Sequence, residues 1–154
     1  MTIPRPGGAA HRLAYEYVVL RCVPRVDREE FLNVGVVLHC RMADFLDVAW
    51  QVDRERLLAL DPRIDVDQVC ESLAFVEAVC AGHPTAGAPA AEPLTQRFGF
   101  LKAPRSTVLQ PGPVHGGVTT DPGRQLERLL EQLVGVERCI ATGSFRRAQA
   151  RQRR

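Results

Sequence analysis

Two polar stretches hold most of the residue types in this chain that are able to do chemistry. The first, Arg25-Val-Asp-Arg-Glu-Glu-Phe-Leu-Asn33, places Arg25, Asp27, Arg28, Glu29, Glu30 and Asn33 close together. Carboxylates at that density can pass protons or hold a hard cation, and a guanidinium beside them can grip an anion. The same residues equally suit a short helical turn capped by Asp27, with Phe31 packed inward and the charges facing water. The second is Arg105-Ser-Thr107, followed by Pro113-Val-His-Gly-Gly-Val-Thr-Thr120, where glycines and hydroxyls run into a helix start. Unpaired N–H groups at such a start attract phosphates and carboxylates. Arg105 and His115 could complete an anion site if the fold brings them round; the alternative is a glycine turn and an ordinary helix cap. There is no G-K-[ST] phosphate loop and no G-x-S-x-G elbow. Ser106, His115 and Asp121 are a possible trio by type, but only geometry makes a triad.

The elements that must position these stretches are legible from periodicity. A strand is predicted over about Ala14–Val23, apolar on both faces and therefore central, and Pro24 ends it. A second strand, Asn33–Cys40, is too apolar for an edge. Gly35 inside it marks a bulge or a close backbone approach. A third, Phe45–Gln51, sets Leu46, Val48 and Trp50 on one face. Short connections favour an antiparallel meander. Asp53 caps a short helix that Asp61-Pro62 stops, and a second helix spans Asp67–Ala81 with Gly82 at its C-terminal end. Gly82 to Pro93 reads as a flexible loop. Leu94 to Thr120 reads as turn-rich, with one or two short strands near Ser106–Gln110 and Pro113–Val118. The last helix starts at Thr120 or Asp121 and carries a stripe of Leu126, Leu129, Leu130, Leu133 and Val134. Strands first and helices after define an α+β fold, an antiparallel sheet with helices packed on it.

Length and composition fit one globular domain. The chain has 154 residues, 45% of them hydrophobic and 25% charged, which is the make-up of a folded protein. The expected organisation is a disordered N-terminus over residues 1–13, one α+β domain over 14–138 and a basic tail over 139–154. No apolar run approaches the ~20 residues of a membrane span, and the first ten residues lack a signal-peptide core. A cytoplasmic location with no membrane contact is therefore expected. Cys22, Cys40, Cys70, Cys80 and Cys139 are odd in number and form no C-x-x-C pair, which fits reduced, structural thiols. No metal site and no cofactor is expected. The formal charge is +2, yet five arginines, Arg146, Arg147, Arg151, Arg153 and Arg154, fall at the C-terminus and leave an acidic body. A basic tail admits nucleic acid as a partner through Arg146–Arg154, or is simply a solvated end.

The stretch Tyr15-Glu-Tyr-Val-Val-Leu-Arg-Cys-Val-Pro-Arg-Val-Asp-Arg-Glu-Glu-Phe-Leu-Asn-Val-Gly-Val-Val-Leu38 resembles the opening of a bacterial family, domain-of-unknown-function family 3037. Arg105-Ser-Thr-Val-Leu-Gln-Pro and Pro113-Val-His-Gly-Gly, with the Asp121-Pro122 helix, resemble its second half, so the likeness covers about residues 14–135. Residue by residue, Arg28, Glu29, Glu30, Asn33 and Gly35 match the first part, and Arg105, Ser106 and His115 the second. The resemblance implies no reaction. It implies an accessory role beside a HipA-like kinase, an association without a mechanism. The leading expectation is a non-catalytic module that holds a protein partner or a small anionic ligand with Arg28, Glu29, Glu30, Asn33, Arg105, Ser106 and His115. The alternatives are a small enzyme acting on a phosphate-containing substrate, which needs both stretches in one pocket, and nucleic-acid binding through the tail.

Overall fold

A computed structural model describes residues 11–135. The expectations for residues 1–10 and for the basic tail lie outside those residues.

The fold is α+β, built on a five-stranded antiparallel sheet. Strand β1 (Leu13–Cys22) begins one residue inside the segment expected to be disordered. A 3-10 turn, Val26–Arg28, leads to β2 (Leu32–Cys40), and a second such turn leads to β3 (Phe45–Trp50). These three form the meander expected from their short connections. Two later strands, β4 (Leu109–Pro111) and β5 (His115–Thr119), both pair with the free side of β1, so β1 is central. β2 lies between β1 and β3, as its apolar run requires.

Helices cover both faces. On one lie α1 (Arg54–Leu60), α2 (Val66–Ala81) and α3 (Leu94–Lys102). Val18, Leu20 and Cys22 of β1 and Leu46, Val48 and Trp50 of β3 pack there against Leu73, Val76, Phe98 and Leu101. On the other lies α4 (Pro122–Leu133), whose Leu126, Leu129 and Leu130 meet Val36, Leu38 and Cys40 of β2. Alternation in β1 and β2 supplies both cores from the same strands. The Trp50 indole N–H donates to Glu77 Oε1 at 2.6 Å, which ties β3 to α2.

Two glycines are set by close approach. A Cβ on Gly35 would lie 3.0 Å from the Trp50 Cβ and 3.1 Å from the Ala49 carbonyl oxygen. The β1–β2 register shifts beside it, where Leu20 faces Gly35 but Arg21 faces Asn33. A Cβ on Gly112, where the chain passes from β4 toward β5, would meet the Arg21 guanidinium at 3.1 Å. Both local signals, the bulge and the backbone approach, are present at Gly35.

Two segments differ from expectation. Residues 94–102 form helix α3, not turns: Leu94, Phe98 and Leu101 repeat at helical spacing, but Gly99 interrupts them and Pro93 offers no side-chain cap. The Gly82–Pro93 loop is packed down. Its Ala86 and Ala90 are buried, and Arg97 Nη1 donates to the Val79 and Cys80 carbonyls at 3.1 and 2.6 Å, capping the α2 C-terminus. Helix α2 starts at Val66, one residue before the expected Asp67, because the Asp65 carboxylate accepts the Gln68 N–H.

His39 on β2 is a buried titratable group, stacked on Phe98 with ring centroids 5.0 Å apart. Burial disfavours its cation and holds its pKa below the ordinary 6.5, with Lys102 and Arg41 acting the same way against Glu16. As pH falls, the unfolded chain therefore takes up this proton first, and stability is lost below the unfolded pKa. His39→Phe should remove that loss. Its urea midpoint relative to the parent should be constant from about pH 8 to about pH 7, then shift in its favour toward about pH 5. A difference independent of pH would contradict the buried neutral imidazole.

Candidate functional site

The site is built where β1 stops. Pro24 has no N–H to continue the ladder. Before it, the Val23 N–H donates to the Val108 carbonyl at 2.6 Å. That bond lays residues 105–108 beside Pro24 and Arg25. The α1–α2 connection supplies the facing wall, where the Asp61 carboxylate accepts the Arg63 N–H at 2.9 Å and fixes the turn. Two recesses share Pro24, Arg25, Asp61 and Arg63. The smaller, about 190 Å³, adds Arg28 and Glu30. The larger is an open groove of about 1340 Å³ that runs along α2 past Gln68, Ser72 and Phe75, with Arg105, Ser106, Thr107 and Val108 opposite.

The charges at this rim are mostly paired at the surface. Arg25 Nη2 meets Asp27 Oδ2 at 2.6 Å. That hydrogen bond lowers the Asp27 pKa and raises that of Arg25. Arg28 pairs with Glu30, and Arg63 with Asp61 at 3.7 Å. The first two pairs are exposed and contribute little to stability, whereas the Asp61 carboxylate is mostly buried. Arg105 differs. Its guanidinium lies 4.3 Å from the Phe100 ring centroid and Nη2 donates to the Phe100 carbonyl at 2.7 Å. Among the described residues it meets no carboxylate. Burial lowers its pKa, but from 12.5, so it stays a cation at neutral pH.

The structure therefore brings together part of the residue set read from the sequence. Arg28, Glu30, Arg105 and Ser106 line the two adjoining recesses. Glu29 sits between them in sequence, closing the 3-10 turn in the left-handed conformation at φ 55°. Asp27 does not cap that turn; Arg25 occupies the cap position and takes the Asp27 carboxylate as its partner. Phe31 is not packed inward either. It is 43% exposed and covers the Arg21 guanidinium at 4.3 Å. The Asn33 amide donates to the Leu133 carbonyl at 3.1 Å and secures the end of α4.

His115 lies elsewhere. It pairs with Tyr17 and stacks on its ring at 5.2 Å. Tyr17 is six residues before Val23 on β1, roughly 20 Å along the strand, and its side chain is on the α4 face. Ser106 thus lies beyond one end of β1, while Asp121, following the Leu13–Thr119 pair, lies beyond the other. The trio is not assembled. The helix start expected to attract an anion is already filled: the Asp121 carboxylate accepts the Arg124 N–H at 3.1 Å, and the Thr119 hydroxyl bonds to the Asp121 backbone. Sequence reading missed Arg63 and Phe75. Neither carries a local signal: Arg63 joins the site through the α1–α2 turn and Phe75 through the docking of α2.

The described thiols are free. Cys22, Cys40 and Cys80 are buried and Cys70 is half-buried. Burial pushes the Cys22 pKa up to about 11 and raises those of Cys80 and Cys70, which suppresses the reactive thiolate. Cys139 is outside the described residues. No described helix is long and apolar enough to cross a membrane.

Fold and site together define a small α+β domain with an antiparallel sheet core and an arginine-bordered groove at one sheet end. The chain belongs to the family described as "Protein of unknown function (DUF3037)", whose model matches residues 17–134. No curated protein and no solved structure matches the chain.

The strain at Glu29 gives a direct test of how this rim is held. A non-glycine residue in the left-handed region costs about 1–2 kcal/mol, and a β-branched one more. Glu29→Gly should therefore be neutral or stabilising by up to about 1 kcal/mol, and Glu29→Val destabilising, in chemical denaturation. Clear destabilisation by glycine would show that the Glu29 carboxylate itself holds the turn.

Proposed function

We propose that this protein is a non-catalytic binding module that holds a segment of a protein partner in the groove along α2. The observation that carries this reading is Arg105, a cation oriented by Phe100 at the groove wall without a carboxylate of its own. Such a group is preorganised for an acidic side chain or another anionic group on the occupant. The groove's size supports a polypeptide. Small-molecule pockets run from roughly 300 to 1,000 Å³ and are largely enclosed; one recess here is smaller and the other larger and open. Phe75 and Val108, both partly exposed, supply apolar contact beside the charge.

Arg28 and Glu30 extend the same surface through the adjoining cleft. Their mutual ion pair and that of Arg25 with Asp27 are exposed, so each can be exchanged for a partner's charge at small cost. Asn33 and His115 have no part in this surface. The reading of a phosphate-directed enzyme required His115 beside the first stretch, and the strand register separates them. A HipA-like kinase is the candidate partner that the family resemblance points to.

The test is affinity capture from cells of the source organism with quantitative mass spectrometry. Arg105→Gln, Phe75→Glu and Arg28→Ala should each reduce a specific partner by tenfold or more, while His115→Ala leaves it unchanged. A captured set unaffected by all three groove substitutions would contradict the proposal.

A further inference from the structure

We infer that two copies of this chain pair edge to edge through β5, about a two-fold axis at Gly116. This edge of the sheet is separate from the groove along α2.

Backbone polarity along β1 identifies which β5 groups are unpaired. The Val19 carbonyl accepts the Gly112 N–H at 2.7 Å, so Val19 points its polar groups toward β4 and β5. Strand residues two apart point the same way, so Tyr17, Tyr15 and Leu13 do likewise. They exchange bonds with their register partners His115, Gly117 and Thr119. Gly116 and Val118 therefore direct their N–H and C=O groups outward. Among the described residues β5 pairs with β1 alone.

An open row of this kind is a template for another strand, and proteins usually guard it. The other edges here are guarded. On β3 the Asp47 carboxylate takes the Val48 N–H at 2.8 Å, and Pro111 and Pro113 fall on and after β4. β5 carries no proline and no Asp, Glu, Lys or Arg. Apolar residues on and just before it are exposed instead: Val118 is 61% exposed, and Val114, which precedes the strand, 45%.

The occupant follows from the spacing. Val114 and Val118 lie two residues either side of Gly116. In an antiparallel pairing of β5 with a second β5, Gly116 faces Gly116, and each Val118 faces the other copy's Val114 on the same side of the joined sheet. Two valine pairs would leave water together. An isologous contact of this type closes on itself and yields a dimer with one continuous sheet. The Gly117 Cα side is occupied from within, since a Cβ there would meet the Tyr15 hydroxyl at 2.5 Å. The Tyr15 ring thus backs the strand at Gly117.

The test uses the full chain. Analytical ultracentrifugation from micromolar to millimolar concentration should show a monomer–dimer equilibrium, and Val118→Lys should weaken it by tenfold or more with an unchanged circular dichroism spectrum. In parallel, amide exchange at Gly116 and Val118 should slow as concentration rises, while that at Gly117, bonded inward to β1, should not change. A monomer at every concentration overturns the inference. So does a dimer that survives Val118→Lys and Val114→Lys, or one in which the Gly116 and Val118 amides exchange equally fast at all concentrations.

Discussion

One backbone hydrogen bond organises the candidate site. The Val23 N–H reaches the Val108 carbonyl at 2.6 Å, one residue past the end of β1 and one before Pro24 forbids any further pairing. It connects residues far apart in sequence and extends the β1–β4 ladder by one step beyond the Cys22–Leu109 pair, which lays the 105–108 stretch beside Arg25. Arg105 sits where it does because its guanidinium bonds back to the Phe100 carbonyl in the last turn of α3, from which the chain returns to meet β1. Arg63 reaches the same rim because Asp61 fixes the α1–α2 turn.

β1 has a double duty that explains both the position of the groove and its isolation from His115. Its even-numbered residues Val18, Leu20 and Cys22 feed the core under α1, α2 and α3, while Tyr15 belongs to the core under α4. One long strand therefore carries one polar stretch at its C-terminal end and the other along its flank. The first stretch and the 105–108 segment converge at one end. His115, Gly116 and Gly117 are laid along β1 toward its other end by the same antiparallel register. A single site containing both Arg28 and His115 is thus excluded by the length of the strand. The groove that remains combines the oriented charge of Arg105 with partly exposed apolar surface at Phe75 and Val108.

Much of the scaffold was legible in the sequence because it depends on local periodicity. The meander, the central place of β1 and β2, the Asp53 and Asp121 caps and the α4 stripe all follow from residues within a few positions of one another. Helix α3 was not read because Gly99 and an uncapped start weaken a signal that Leu94, Phe98 and Leu101 do carry. At the site, residue type identified Arg28, Glu30 and Arg105, but no local pattern could tell which of them share a wall. Asn33 and His115 look functional by type, yet tertiary contacts engage them, one on the Leu133 carbonyl and the other on the Tyr17 ring. The family match to residues 17–134 spans both the convergent and the separated parts.

The convergence of residues 105–108 with Arg25 and Arg63 is a matter of distance, which paramagnetic relaxation measures. A nitroxide attached at Ser106→Cys, with Cys70 and Cys139 replaced by serine, should strongly broaden the amide signals of Arg25 and Arg63 and leave that of His115 sharp. Broadening of His115 with Arg25 unaffected would mean that the 105–108 segment meets a different part of the sheet, and the groove described here would not exist.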